Sequence, residues 1–172
     1  MLNWDLVAEK LSESRLNHTG QFRVAIYSRM SMVDGQESIA RNHVKWMQAA
    51  VNRDRRFSIH KVYQDFGVST QNRSRMICYQ RLLNDCRAGN VDLIMAHDIT
   101  RIGSTFEDFM KNAEPISDIQ PEIGFLFFRD HMFSLSSHAR EWAKNIARGN
   151  YSSCHLPYYV GAMQKPRGHS EI

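Results

Sequence analysis

Cysteine is scarce in this chain and odd in number: Cys78, Cys86 and Cys154 are its three. They show no close pair with metal-ligand spacing, so neither a disulfide framework nor a zinc ribbon is supported, and buried free thiols are expected. The eight histidines also lack a pair at ligand-like helical spacing, so no metal site is read from the sequence. Long apolar runs are missing as well. None approaches the roughly 18 residues that a membrane span requires. The opening stretch Met1, Leu2, Asn3, Trp4, Asp5 lacks the basic-then-apolar pattern of a secretory signal. No membrane association and a cytoplasmic location are therefore expected. Nor does one sign of charge dominate: the net charge is +4, which tolerates an anionic partner without demanding one. There is no internal repeat and no long low-complexity segment.

What is present suits one globular domain, since 172 residues with 42% hydrophobic content are enough for a core and short for two. Leu2, Leu6, Val7, Leu11 and Leu16, set among charged residues, suggest an amphipathic helix over residues 2–17, with Asn3 as its N-cap and Gly20 as its stop. Apolar strands are expected over residues 22–27, 57–63, 91–96 and 123–128. Between them, Ile39, His43, Met47 and Ala50 mark one helix, and Tyr79, Leu82, Leu83 and Cys86 line a second, closed by Gly89. A third begins near Ser104, because Glu107 three residues later completes a capping box, and Pro115 ends or kinks it. A final short helix fits residues 137–148, with Ala139, Trp142, Ala143, Ile146 and Ala147 on one face.

Alternating uncharged strands and helices predict a three-layer α/β/α fold with a mostly parallel central sheet of about four to five strands. The expected division is a helical extension over residues 1–20, an α/β domain over 21–134, and a short helix with an irregular tail over 135–172. Ligands of such sheets bind beyond the carboxyl ends of the strands. Chemistry is therefore expected from residues 29–36, 65–75 and 97–104.

Those loops bring arginines and hydroxyls to one sheet edge, which suits a phosphodiester. Arg29 and Ser31 stand two apart and share a side of an extended segment, whereas Ser28 faces away. A guanidinium beside a hydroxyl can hold phosphate oxygens and offset developing charge. Asp65, Gly67, Ser69, Thr70, Asn72, Arg73 and Arg75 form a second group, and Thr100, Arg101, Gly103 and Ser104 a third. His97 and Asp98 read as a polar strand end.

Tyr27, Ser28, Arg29, Met30, Ser31 resembles the Tyr-x-Arg-Val-Ser signature of the serine recombinases, of resolvase/invertase type. Tyr63, Gln64, Asp65, Phe66, Gly67, Val68, Ser69 is similar to that family's Tyr-x-Asp-x-Gly-x-Ser segment. Thr100, Arg101, Ile102, Gly103 falls where the family has Asp or Ser, Arg, Leu, Gly. The resemblance covers roughly residues 22–133. It implies a resolvase-like fold and site-specific DNA recombination, in which Ser31 attacks a phosphodiester to give a 5′-phosphoserine and release a 3′-hydroxyl. It further implies that Arg29, Arg101 and either Arg73 or Arg75 neutralise the phosphate. Gln36, Asn42 and Thr100 would be supporting polar contacts, with no metal and no cofactor. The implied partners are DNA, further copies of the chain in a dimer or tetramer, and a targeting protein.

Two departures stand against this pattern. Ser104 occupies the place of a second arginine, and no helix-turn-helix, zinc ribbon or coiled coil follows the short final helix. These favour an alternative, a weak or inactive relative that binds DNA or protein.

Overall fold

The computed structural model describes residues 2–31, 37–69, 71–129 and 131–138. Nine elements follow one another along these residues: α1 (Trp4–Glu13), β1 (Phe22–Met30), α2 (Glu37–Val51), β2 (Phe57–Phe66), α3 (Ile77–Arg87), β3 (Leu93–Ala96), α4 (Phe106–Ala113), β4 (Gly124–Phe127) and β5 (Met132–Leu135). The strands form one sheet in the order β2-β1-β3-β4-β5. The first four run parallel, and β5 returns antiparallel to β4.

Strand alternation divides the core into two layers. Val24, Ile26, Met95 and Leu126 pack beneath α1 and α2, against Val7, Leu11, Val44 and Met47. Ala25, Tyr27, Ile94, Phe125 and Phe127 point to the other face, under Tyr79, Leu82 and Leu83 of α3 and Phe109 and Met110 of α4. β3 and β4, uncharged and buried on both faces, are what the centre of a covered parallel sheet requires. The expected three-layer α/β/α fold is the observed one.

Local signals explain most boundaries. Asn3 caps α1 by accepting from the Leu6 amide at 3.2 Å. Gly89, at φ +73°, closes α3 while the Asn90 amide donates back to the Asp85 carbonyl at 2.9 Å. α4 stops at Ala113, and Pro115 lies in the 3-10 turn Glu114–Ile116 that follows.

Three details differ from expectation. The cap of α4 is Thr105, which accepts from the Asp108 amide at 3.1 Å, and not Ser104. Each of these adjacent hydroxyls has an acid three residues on, so spacing alone does not separate them. β5 was not expected as a strand: it is a four-residue edge, and Ser134 interrupts its apolar character. β1 and β2 each run three residues beyond their apolar stretches, to Met30 and Phe66. The helix expected over residues 137–148 lies almost wholly outside the described residues. No helix among the described residues is long and apolar enough to cross a membrane.

Candidate active site

The longer strands change the setting of two residues expected in loops. The β1–β2 ladder continues through Arg29↔Asp65 and Met30↔Phe66, so both Arg29 and Asp65 are buried strand residues. Asp65 accepts from the Tyr27 hydroxyl at 3.0 Å and from the Cys78 and Tyr79 amides at 2.9 and 3.0 Å. It thereby caps α3 from across the loop, satisfying amides that a helix start leaves unpaired. Desolvation, reinforced by Asp65, pushes the Tyr27 phenol well above its usual range, so Tyr27 is a fixed donor.

Arg29 is 3% exposed, and its guanidinium donates to three carbonyls: Arg101 from Nε at 3.0 Å, Val68 from Nη1 and Thr100 from Nη2, both at 2.7 Å. These bonds clasp the loop after β2 to the loop after β3. Burial holds the Arg29 pKa below the usual arginine value, yet a guanidinium remains charged in any case. Three of its five N–H groups serve these carbonyls.

Arg101 returns the contact, donating from Nη1 to the Arg29 carbonyl and to the Met30 sulfur, each at 2.9 Å. Its guanidinium therefore rests on the two residues that precede Ser31. The Arg101 Nε donates to Asp98 Oδ2 at 3.1 Å. Asp98 is fully buried and also accepts from the Thr100 amide at 3.1 Å, the Thr100 hydroxyl, and His97 Nδ1 at 2.9 Å. Burial would raise its pKa, but the bonds from Thr100, His97 and Arg101 outweigh this and hold the carboxyl at about 2. The His97 ring stacks on His43 of α2, centroids 3.5 Å apart and planes nearly parallel. Burial lowers the His43 pKa, and His97 and Arg101 lower it further.

Ser31 follows β1 directly and is exposed, and the Met30 carbonyl before it accepts from the Gly67 amide at 2.8 Å. Ser28 is buried. Asn42 is exposed on α2, while Gln36 and Thr70 lie outside the described residues. Thr100 turns its hydroxyl inward to Asp98. Arg73 and Arg75 share an exposed 3-10 turn, from which Arg73 Nη1 donates to the Lys111 carbonyl of α4 at 3.0 Å. Gly103 is there because the loop runs against α4: a Cβ on it would lie 2.0 Å from the Phe109 nitrogen.

The sequence reading missed Asp98 as the hub of this edge. Its signal was an aspartate two residues before Thr100, the spacing of an Asx turn. Asp65 carried no local signal, since its partners lie 13 and 14 positions on. No group of three or more His, Cys, Asp or Glu among the described residues is arranged to hold a metal ion.

The doubly wound sheet thus gathers two arginines, an exposed hydroxyl and a buried carboxylate at the carboxyl ends of β1 and β3. The chain belongs to the resolvase N-terminal domain family, whose model matches residues 24–135. Among solved structures it is similar to the N-terminal catalytic domain of TP901-1 integrase. That likeness has 20% identity and a TM-score of 0.50, over 79% of this chain and 99% of that one. It is similar also to a resolvase family site-specific recombinase from Streptococcus pneumoniae, at 18% identity and a TM-score of 0.55, over 78% of this chain and 96% of that one. No curated protein matches the chain.

Proposed function

We propose that this chain cuts and rejoins DNA at a specific site, with Ser31 as the nucleophile. The observation that carries the reading is the seating of the Arg101 guanidinium on the Arg29 carbonyl and the Met30 sulfur, immediately before an exposed Ser31. A phosphodiester held there has a hydroxyl and a fixed cation on one side. The Ser31 Oγ forms a bond to phosphorus as the bond from phosphorus to the 3′ oxygen breaks. The proton leaves Ser31, and the 3′ oxygen departs as a hydroxyl. Attack by a 3′-hydroxyl on the phosphoserine reverses these changes and frees Ser31. The ester conserves the bond for rejoining, so no external energy source is required.

Arg75 is the third phosphate arginine in this scheme, because Arg73 directs its guanidinium to α4. Gln36 and Asn42 supply polar support, and Thr100 contributes through its bond to Asp98. The DNA partner, an assembly of two or four copies, a targeting protein and a cytoplasmic setting complete the reading. Supercoiled DNA carrying the sequences that flank the coding region provides the substrate for the test. A covalent protein–DNA adduct is expected from the natural chain and from Ser28→Ala, and none from Ser31→Ala. An adduct that survives Ser31→Ala overturns the assignment.

Ser104 favours a second reading, in which the fold binds DNA without cleaving it. Losing one donor from a charge-stabilising cluster costs roughly 10² to 10³ in rate. Under this reading the natural chain forms no adduct and Ser104→Arg does.

A further inference from the structure

The loop after β3 carries its carboxylate in an unexpected place. Where the resemblance has Asp or Ser immediately before the arginine, this chain has Thr100, and its acid stands two residues earlier as Asp98. That acid is fully buried and accepts from three neighbours in its own turn: Thr100 through amide and hydroxyl, His97 through Nδ1, and Arg101 through Nε. The Nη1 of Arg129, at the end of β4, lies 3.8 Å from Oδ2. One carboxylate thus lies within reach of two guanidiniums.

The way Arg101 is held matters for what it can still do. Asp98 takes only its Nε, and the backbone before Ser31 takes one bond from Nη1. Arg101 is oriented from behind and beside, while Nη2 is not consumed by these contacts. A bidentate carboxylate would fix the arginine equally well but occupy the fork that a phosphate needs.

We propose that Asp98 is the positioning residue of this site, supplying from position 98 the carboxylate that orients Arg101 toward a phosphate at Ser31. The proposal rests on the reading of Ser31 and Arg101 as the phosphodiester site. Asp98 acts through Arg101 and does not touch the reacting atoms.

Two readouts on the full chain test it. One is hydrogen exchange of the Arg101 Nε–H by nuclear magnetic resonance, assigned by its loss in Arg101→Lys. The other is the single-turnover rate of Ser31-dependent adduct formation with its half-saturating DNA concentration. Asp98→Asn should speed the Nε–H exchange at least tenfold and slow adduct formation by roughly 10²-fold, the usual consequence of a displaced catalytic group. Half-saturation should move less than threefold. Adding Thr100→Asp to Asp98→Asn should recover at least tenfold in both exchange and rate, which no purely structural role would do. If Asp98→Asn does not fold, Asp98→Glu keeps the charge and moves it by one methylene. It should release the Arg101 Nε–H and slow the adduct while leaving the melting temperature near that of the natural chain. Natural values of exchange and rate in Asp98→Asn or Asp98→Glu, or failure of Thr100→Asp to recover either readout, overturn the proposal. If the natural chain forms no adduct yet protects the Arg101 Nε–H, and Asp98→Asn releases it, the recombinase reading fails and the anchoring of Arg101 by Asp98 stands.

Discussion

At the scale of single residues, the site is governed by where buried charges find partners. Arg29 illustrates this: a sequence motif suggests a phosphate ligand, and the folded chain spends three of its donors on carbonyls from two other loops. Removing it would strand the carbonyls of Val68, Thr100 and Arg101. Arg29→Met should therefore cost about 3 kcal/mol, read as a shift in the urea midpoint with little change in slope. Arg29→Lys should recover only part of this, because an ammonium cannot span the three carbonyls as a planar fork does. Asp98 makes a prediction in pH. Its folded carboxyl titrates at about 2 against an ordinary 3.8, so the charged form is favoured by folding. The stabilisation is present above about pH 4 and is lost as pH falls from there toward 2. It amounts to about 2 kcal/mol. Urea unfolding across that range should show Asp98→Asn with a flatter pH dependence than the natural chain.

At the scale of elements, the loops are fastened by groups from neighbouring strands and helices more than by their own turn chemistry. α3 has no side-chain cap from the residue that precedes it, and its first amides are met instead by Asp65 of β2. Asp65→Ala should cost about 3 kcal/mol, since it removes the cap and leaves the fully buried Tyr27 hydroxyl without its acceptor. The urea midpoint measures the loss, and Asp65→Asn should recover a part by keeping one acceptor oxygen. The stack of His43 on His97 joins α2 to the end of β3 in the same manner, side chain to side chain across elements. α4 is set by a backbone approach: Gly103 lies so close to Phe109 that any side chain there would displace the helix start.

At the scale of the whole molecule, a doubly wound sheet collects these fastenings at the carboxyl ends of its strands, while buried Asp92, paired with Arg15 and Arg23, ties the opposite end. The net charge of +4 is modest, so affinity for DNA should depend on a few placed arginines. Arg75→Gln should weaken binding to nonspecific duplex DNA and lower the slope of log affinity against log salt by roughly one, measured by fluorescence anisotropy. Arg29→Lys should leave that slope nearly unchanged, because the substitution keeps the charge.

The sequence by itself determined the layers and the mostly parallel course of the sheet. These follow from periodicity, and periodicity records which residues must be hidden from water. It also marked Ser31, Arg29 and Arg101 through motif spacing, and separated Ser31 from Ser28 through alternation. Tertiary structure alone decided what those side chains touch. Arg29 and Asp65 became strand residues because the β1–β2 ladder runs past the apolar stretch, which only pairing reveals. Asp98 became the hub because the turn after β3 folds His97, Thr100 and Arg101 back onto it and Arg129 approaches from just past β4. Hydrophobic pattern is a property of each segment and can be read along the chain. Partnership of buried charges belongs to segments brought together from afar, and distance along the chain conceals it.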